Sequence, residues 1–302
     1  MQMHKEISVI IPHYNSIITL LNLLDTIPKM ECIEILVIDD KSDITCAQKE
    51  KIIDALENRG LFLDNQSEKK GAGVCRNIGL DHAHGKWVVF ADADDYFLPA
   101  SFKTFLDYKN DPHDIIFCNM TSIAIDTGEV SERHKGYSRL IKEFIEYHDE
   151  LSEANLRYNW SSPTTKMIRR ALIEKSRIRF EDTAVANDVM FSLKTGYAAK
   201  TITAVNETVY CVTKSGNSLT SASDNDRKRK RFEVYWGKYA YLREKMDPHT
   251  FEKMGMGIFE FLLYAARSRG LALGMSVLSD THQSIHAKFN IRGWICKHIG
   301  LR

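Results

Sequence analysis

The sequence predicts an α/β fold built on a largely parallel sheet, and three observations carry that prediction. Short β-branched runs alternate with segments of helical apolar spacing through the first half of the chain. The strand segments are apolar along their whole length, as a sheet covered on both faces requires. Acidic and polar residues follow several strands directly, at the edge where ligands bind in such sheets.

The elements follow in order. Residues 7–11 (ISVII) read as the first strand and residues 16–27 as a helix. Residues 33–38 (IEILVI) form the second strand, residues 45–58 a helix, and residues 61–64 (LFLD) a third strand. Residues 72–83 (AGVCRNIGLDHA) read as a helix, and residues 86–91 (KWVVFA) as the next strand. Pro99 suits the first turn of a further helix reaching about Lys109, before the strand DIIFCN. The second half is less regular. TTKMIRR and TVYCVT look like strands, with a helix from Asp188 to about Ala198 between them. From residue 223 the chain turns charged and helical, which places a boundary near residue 222. The expected organisation is a nucleotide-binding domain over 1–222 and a helical region over 223–302.

Composition narrows the function. A formal net charge of +1 provides no global field toward nucleic acid, so no nucleic-acid partner is expected. Cys32, Cys46, Cys75, Cys118, Cys211 and Cys296 form no C-x-x-C pair, and their spacing fits no zinc module. With no recognisable signal peptide at the N-terminus, they predict a reducing, cytoplasmic setting. No apolar stretch reaches the ~18 residues of a membrane span.

Two strands end in acids. LVIDDKS puts Asp39 and Asp40 after the second strand, and VVFADADD puts Asp92, Asp94 and Asp95 after the fourth. The first strand ends in PHYN, with Pro12, Tyr14 and Asn15. Loops are rich in Asp for ordinary reasons. Acids clustered this closely nevertheless repel: at ~4 Å and a near-surface dielectric, one ionised pair costs roughly 4 kcal/mol. A hard divalent cation relieves that repulsion and takes one or two carboxylates plus substrate phosphates. A remaining carboxylate can accept hydrogen bonds from ribose or a base N–H. No Walker A sequence is present, and GAGVCRNIG lacks the dinucleotide glycine spacing. Arg76, on the helix after the third strand, is placed to reach a nucleotide or an acidic partner.

These stretches resemble family-2 glycosyltransferases of the GT-A fold. The matching segments are ISVIIPHYN, EILVIDDKS, GAGVCRNIGLDHAHGKWVVFADADDYF, TTKMIRRALIEKSRIRF and NDVMF, in the family's order over roughly the first two-thirds of the chain. The resemblance implies an inverting transfer from a nucleotide-sugar, usually a UDP-sugar. It implies that Pro12 and Tyr14 flank the base, with Asn15 beside them, and that Asp40 faces the uracil edge with Asp39 next to it. Arg76 orders the nucleotide pocket. Asp92, with Ala93, holds the ribose or the metal's waters, and Asp94 is the principal ligand of Mn²⁺ or Mg²⁺. Asp95 lies near the sugar or supports the metal site, and Lys214, Asn217 and Ser218 close over the diphosphate. Asp188 in NDVMF matches the family's catalytic base, with Asn187 where Glu is common and Glu181 and Asp182 as the rival acids. A helix N-cap is the alternative role for Asp188.

Two other readings stand beside this one. A metal-dependent sugar-nucleotidyltransferase also uses strand-end carboxylates, and a non-catalytic sugar-nucleotide-binding subunit would keep the fold. Many members of the family extend lipid-linked oligosaccharides for surface polysaccharides, so the resemblance implies a saccharide acceptor of that kind. Residues 286–302 (HAKFNIRGWICKHIGLR) place Ile291, Trp294, Ile295 and Ile299 at helical spacing among four basic residues and no acid. Such a stripe suits either a peripheral helix at the inner face of the cell membrane or one packed on the catalytic domain.

Overall fold

The computed structural model describes residues 5–214, 225–256, 258–268 and 270–284. Through its first half the chain runs β1 (Ile7–His13), α1 (Ile17–Asp25), β2 (Ile33–Asp39), α2 (Cys46–Leu56), β3 (Gly60–Asp64), α3 (Ala72–His82) and β4 (Trp87–Phe90). There follow β5 (Tyr96–Phe97), α4 (Ser101–Asp107), β6 (Ile115–Ala124), α5 (Lys135–Tyr147), α6 (Glu150–Asn159) and β7 (Lys166–Arg169). The remainder is α7 (Arg170–Lys175), α8 (Asn187–Ala198), β8 (Ile202–Lys214), α9 (Asn225–Lys245), α10 (Pro248–Lys253), α11 (Ile258–Arg267) and α12 (Leu271–Ser284).

The strands form one sheet in the order β3-β2-β1-β4-β7-β6-β8-β5. β1, β2, β3 and β4 pair in parallel, and β6 pairs in parallel with β8. β7 runs against both β4 and β6, and the two-residue β5 runs against β8. The sheet is therefore mostly parallel, as expected, with two reversed strands. One reversal matters for the site. The rule that ligands lie beyond the carboxyl ends of strands selects the residues after β1, β2 and β4. For a reversed strand the same edge holds its first residues, which brings Thr164, Thr165 and Lys166 there instead.

Local chemistry explains the element ends. α2 starts at a capping box in which Thr45 accepts from the Gln48 amide and the Gln48 side chain accepts from the Thr45 amide. It stops where Glu57 and Asn58 turn left-handed, at φ 47° and 59°. β2 is buried at every position, so its apolar run contains no alternation. α5 and α6 fill a stretch for which no element is predicted. α5 buries only Leu140, Ile141 and Phe144, one stripe of an otherwise charged segment.

Two apolar cores result. The larger covers the sheet and includes Phe191 of α8. The smaller joins Val189, Met190 and Leu193 of α8 to Phe232, Leu242, Phe251 and Ala265 of the helices that follow. α8 is thus held from both sides, which fixes the position of its first turn. The expected boundary near residue 222 lies outside the described residues. Among the described residues, Cys32, Cys46, Cys75, Cys118 and Cys211 are free thiols, and no helix is long and apolar enough to cross a membrane.

α3 lies directly on β1 and β2. A Cβ added at Gly79 would stand 2.4 Å from Ile10 Cγ2 and 3.0 Å from Ile38 Cδ1. Gly79→Ala should therefore destabilise the chain by about 1–3 kcal/mol through overpacking. The check is a urea midpoint that falls at unchanged slope. An unchanged midpoint would show that this contact has room to spare.

Candidate active site

At the ends of β1 and β2, Asp39 and Asp40 point to opposite sides, as successive strand residues do. Asp39 is 4% exposed, and its two oxygens accept from His13 Nδ1 at 2.7 Å and the Ser42 amide at 2.9 Å. The Ser16 amide donates to His13 Nε2 at 3.2 Å, which orients the ring with its Nδ1–H toward Asp39. Burial raises the Asp39 pKa, but these hydrogen bonds outweigh it and leave the carboxyl below its ordinary value. Asp39 consequently braces the β1 turn. Asp40 accepts from Asn65 Nδ2 at 2.8 Å and from the Gly71 amide at 2.7 Å, tying β2 to the loop ahead of α3. It is 8% exposed and also accepts from the Cys75 thiol. Burial, and then the charge of Asp40, push the Cys75 thiol beside it up to about 12.

Tyr14 is 57% exposed, with Lys70 Nζ 6.0 Å from its ring centroid. It offers an open aromatic face where the resemblance expects the nucleotide base. Pro12 is half-buried within β1. Asn15 is left-handed at φ 49°, and its Oδ1 accepts from the Asp43 amide at 2.8 Å. It ties the first turn to the loop after β2.

The three acids after β4 separate sharply. Asp92 is half-exposed, and its amide donates to the Tyr210 hydroxyl at 2.9 Å. Ala93 is buried between its neighbours. Asp94 is exposed, yet the surrounding protein atoms and then the Asp92 charge raise its pKa. Asp95 is 5% exposed and accepts from the Thr213 amide at 2.7 Å and from Tyr210. Burial, followed by Asp92 and Asp94, pushes its pKa well up. Asp95 thus points inward and pins β8 to the acidic loop, a position from which it supports the loop that carries Asp92 and Asp94. Thr213 adds a second tie by donating to the Asp94 carbonyl at 2.8 Å.

Arg76 connects this loop to α8. One guanidinium nitrogen donates to Asp92 Oδ1 at 2.6 Å and the other to Asn187 Oδ1 at 3.0 Å. The group lies 5.3 Å over the Phe180 ring, which stacks on Phe191 at 3.8 Å. The N-cap of α8 is Ala186, left-handed at φ 54°, so Asp188 is a first-turn residue rather than the cap. Burial raises the Asp188 pKa, and the positive charge of Arg76 works against that rise. The rival acids lie elsewhere. Asp182 is exposed and pairs with Lys69, and Glu181 pairs with Lys194 at 3.7 Å.

Sequence reasoning passes over Lys166. It is 1% exposed, its Nζ donates to Ser192 Oγ at 3.0 Å, and it lies within electrostatic reach of Asp188. Burial lowers its pKa to about 7, with Asp188 opposing. The available signal is a lysine inside an apolar strand, TTKMIRR, combined with the reversal of that strand. Tyr210, which holds both Asp92 and Asp95, gives no such signal inside TVYCVT.

Among the described residues, no three His, Cys, Asp or Glu side chains converge as a ready-made metal cage. The donor set nonetheless suits a hard cation completed by phosphate oxygens, since Asp94 is open and Asp92 uses one oxygen on Arg76. Lys214 ends β8 at the same edge, exposed. Asn217 and Ser218 lie outside the described residues.

The family model described as glycosyl transferase family 2 matches residues 8–177, more than half of the chain. The chain belongs to glycosyl transferase family 2. A curated relative, the poly(ribitol-phosphate) β-N-acetylglucosaminyltransferase TarS of Staphylococcus aureus, is 30% identical over 225 residues, covering 71% of this chain and 37% of TarS. The GalNAc(5)-diNAcBac-PP-undecaprenol β-1,3-glucosyltransferase of Campylobacter jejuni is 26% identical, covering 58% of this chain and 55% of that protein. This family-2 chain therefore spans little more than a third to a half of those relatives. TarS 1–349 with UDP-GlcNAc superposes at a TM-score of 0.60, with 20% identity over 95% of this chain and 94% of that one. The Pyrobaculum calidifontis mannosyltransferase PcManGT, with GDP-Man and Mn²⁺, gives 0.60 and 16% identity over 99% of this chain and 81% of that one. The fold is GT-A.

Because Arg76 holds the Asp188 carboxyl down, Arg76→Met should raise the Asp188 pKa. If ionised Asp188 is required for turnover, the acid limb of the kcat–pH profile then moves to higher pH, and activity at low pH is lost first. A limb that moves to lower pH, or stays in place, would contradict the coupling.

Proposed function

We propose that this chain is an inverting glycosyltransferase that moves a sugar from a UDP-sugar to an acceptor hydroxyl, on a lipid-linked saccharide of surface-polysaccharide biosynthesis. The observation that carries the reading is the Arg76 fork. It couples the acidic loop after β4 to the first turn of α8, close enough that Asp92 and Arg76 both act on the charge of Asp188. Solved relatives of this fold with bound nucleotide-sugars support the donor class. The printed names of the curated relatives include a lipid diphosphate and a polyol-phosphate acceptor, which support a cell-surface role. Cytoplasmic placement with peripheral contact at the inner membrane face suits such an acceptor.

The base rests near Tyr14, with Asp40 at its polar edge, and Asp92 faces the ribose. Asp94 and the free oxygen of Asp92 are the groups that would hold Mn²⁺ or Mg²⁺. When bound, the cation supplies positive charge for the β-phosphate of leaving UDP. Asp188 takes the proton of the acceptor hydroxyl, and that oxygen bonds to the anomeric carbon from the face opposite the diphosphate. The bond from the anomeric carbon to the diphosphate oxygen breaks, and its electron pair departs with UDP. Arg76 favours the ionised form of Asp188, and burial raises its basicity toward accepting a proton.

Asp188→Asn should leave UDP affinity near wild type and lower turnover by about 10²–10⁴-fold, the usual worth of a general base. Normal turnover in the variant would remove Asp188 from the role. Asp94→Ala should weaken calorimetric UDP binding only when Mn²⁺ or Mg²⁺ is present. Identical titrations of variant and wild type with metal would exclude Asp94 as a ligand. A panel of nucleotide-sugars, scored by metal-dependent UDP release, identifies the donor. Release of pyrophosphate instead would favour a nucleotidyltransferase.

A further inference from the structure

Two cavities of about 550 and 290 Å³ share Asn159 and Met254 and so form one groove. Its outer part lies between α5 and α6, lined by Arg133, Tyr137 and Asn155. Its inner part lies against α9 and α11, lined by Tyr235, Lys238 and Tyr264. The groove reaches the reaction centre through bonded contacts. The Tyr137 hydroxyl bonds to Ser161 Oγ at 3.0 Å, and the Ser161 carbonyl accepts from Ser192 of α8 at 2.7 Å. Tyr137 and Tyr235 also feel the charge of Asp188, and Arg133 acts on Asp94.

The groove's chemistry is specific. Lys238 is 6% exposed, and its Nζ donates to Asn159 Oδ1 at 3.3 Å. No carboxylate lies within ion-pair distance of it among the described residues. Burial lowers its pKa to about 8, and the groove's one lining carboxylate, Glu143 in the outer part, pairs with Arg139 rather than with Lys238. Asn159 in turn donates to Asn155 at 3.0 Å, continuing a polar line along the groove. Arg133 is exposed at the outer end, without an ion pair among the described residues. Tyr235 and Tyr264 place their rings 4.8 Å apart in the inner wall. Such a site, with aromatic faces, amides and an unmatched buried cation, fits a polyhydroxylated ligand that carries an anion.

We propose that this groove is the acceptor site and that it selects an acceptor bearing a phosphate group. Lys238 holds the phosphate, with Arg133 guiding it at the outer end. The sugar or polyol unit lies along Tyr137 and Tyr235, which brings its hydroxyl toward Asp188. The phosphate is bound and not transformed. This inference rests on the transferase reading above.

The test uses the full chain saturated with UDP, so that phosphate probes are kept out of the donor site. A ribitol phosphate oligomer and a short-chain prenyl-diphosphate-linked N-acetylglucosamine are titrated beside their neutral counterparts, ribitol and methyl N-acetylglucosaminide. At least one phosphorylated probe should bind about tenfold or more tightly than its counterpart, and Lys238→Met should remove that preference. Arg133→Ala, at an exposed position that leaves folding intact, should reduce it severalfold. Whichever probe shows the preference identifies a polymer or a lipid diphosphate as the source. Failure of both phosphorylated probes to bind, equal affinity for charged and neutral probes, or a preference unchanged in both variants would overturn the proposal. UDP affinity measured on the same sample reports on the donor reading by itself, so either of the two can fail alone.

Discussion

The site depends on one buried guanidinium with two different partners. Arg76 reaches Asp92 on the loop after β4 and Asn187 at the start of α8, and the stacked rings of Phe180 and Phe191 support its face. A buried cation is tolerated only where hydrogen bonds and counter-charge replace water. Those requirements fix the separation between the acidic loop and the helix that carries Asp188. Asn187 stands where an acid is common in resembling sequences, and the consequence is electrostatic. A neutral amide satisfies the hydrogen bond without consuming the charge, so more of Arg76's positive field falls on Asp92 and Asp188.

The same logic divides the five strand-end acids. Asp39 and Asp95 are buried and fully engaged, and they hold the turns on which the others stand. Asp92 and Asp94 are the more open, while Asp40 is buried and accepts from Asn65, Gly71 and Cys75. Charge crowding explains why the cluster is not uniformly ionised. Burial and the neighbouring Asp92 raise both Asp94 and Asp95. An incoming cation with its diphosphate would relieve the strain at Asp94 while leaving Asp95 in its structural role. On the far side, Lys166 and Arg76 oppose the effect of burial on Asp188, which lets a half-buried carboxyl serve as a base.

Much of this was legible in the sequence, for physical reasons that can be named. A covered parallel sheet leaves uninterrupted apolar runs, and the residues after them gather at one edge, so Tyr14, Asp40, Asp92 and Asp94 stand out as candidates, whereas Asp188 is named only by the resemblance to family-2 sequences. Strand alternation would also have separated Asp39 from Asp40, since adjacent side chains must diverge. Lys166 escaped because the direction of β7 is a tertiary property, and only its reversal brings the strand's first residue to the ligand edge. The acceptor groove escaped for a related reason. Arg133 lies in the turn before α5, Asn159 ends α6 and Lys238 sits in α9, and no local spacing records their approach. α5 was passed over because its buried stripe of Leu140, Ile141 and Phe144 is narrow and embedded in charge.

In the proposed reaction the acceptor oxygen and the leaving diphosphate lie on opposite faces of the anomeric carbon, with Asp188 on the acceptor side. Product stereochemistry reads that arrangement directly. With metal and UDP-N-acetyl-α-glucosamine, or whichever α-linked UDP-sugar is turned over, proton NMR in real time records the first anomer formed by transfer or slow hydrolysis. The account predicts that the β-anomer forms first. An α-anomer as the first product would mean attack from the diphosphate side and would contradict it.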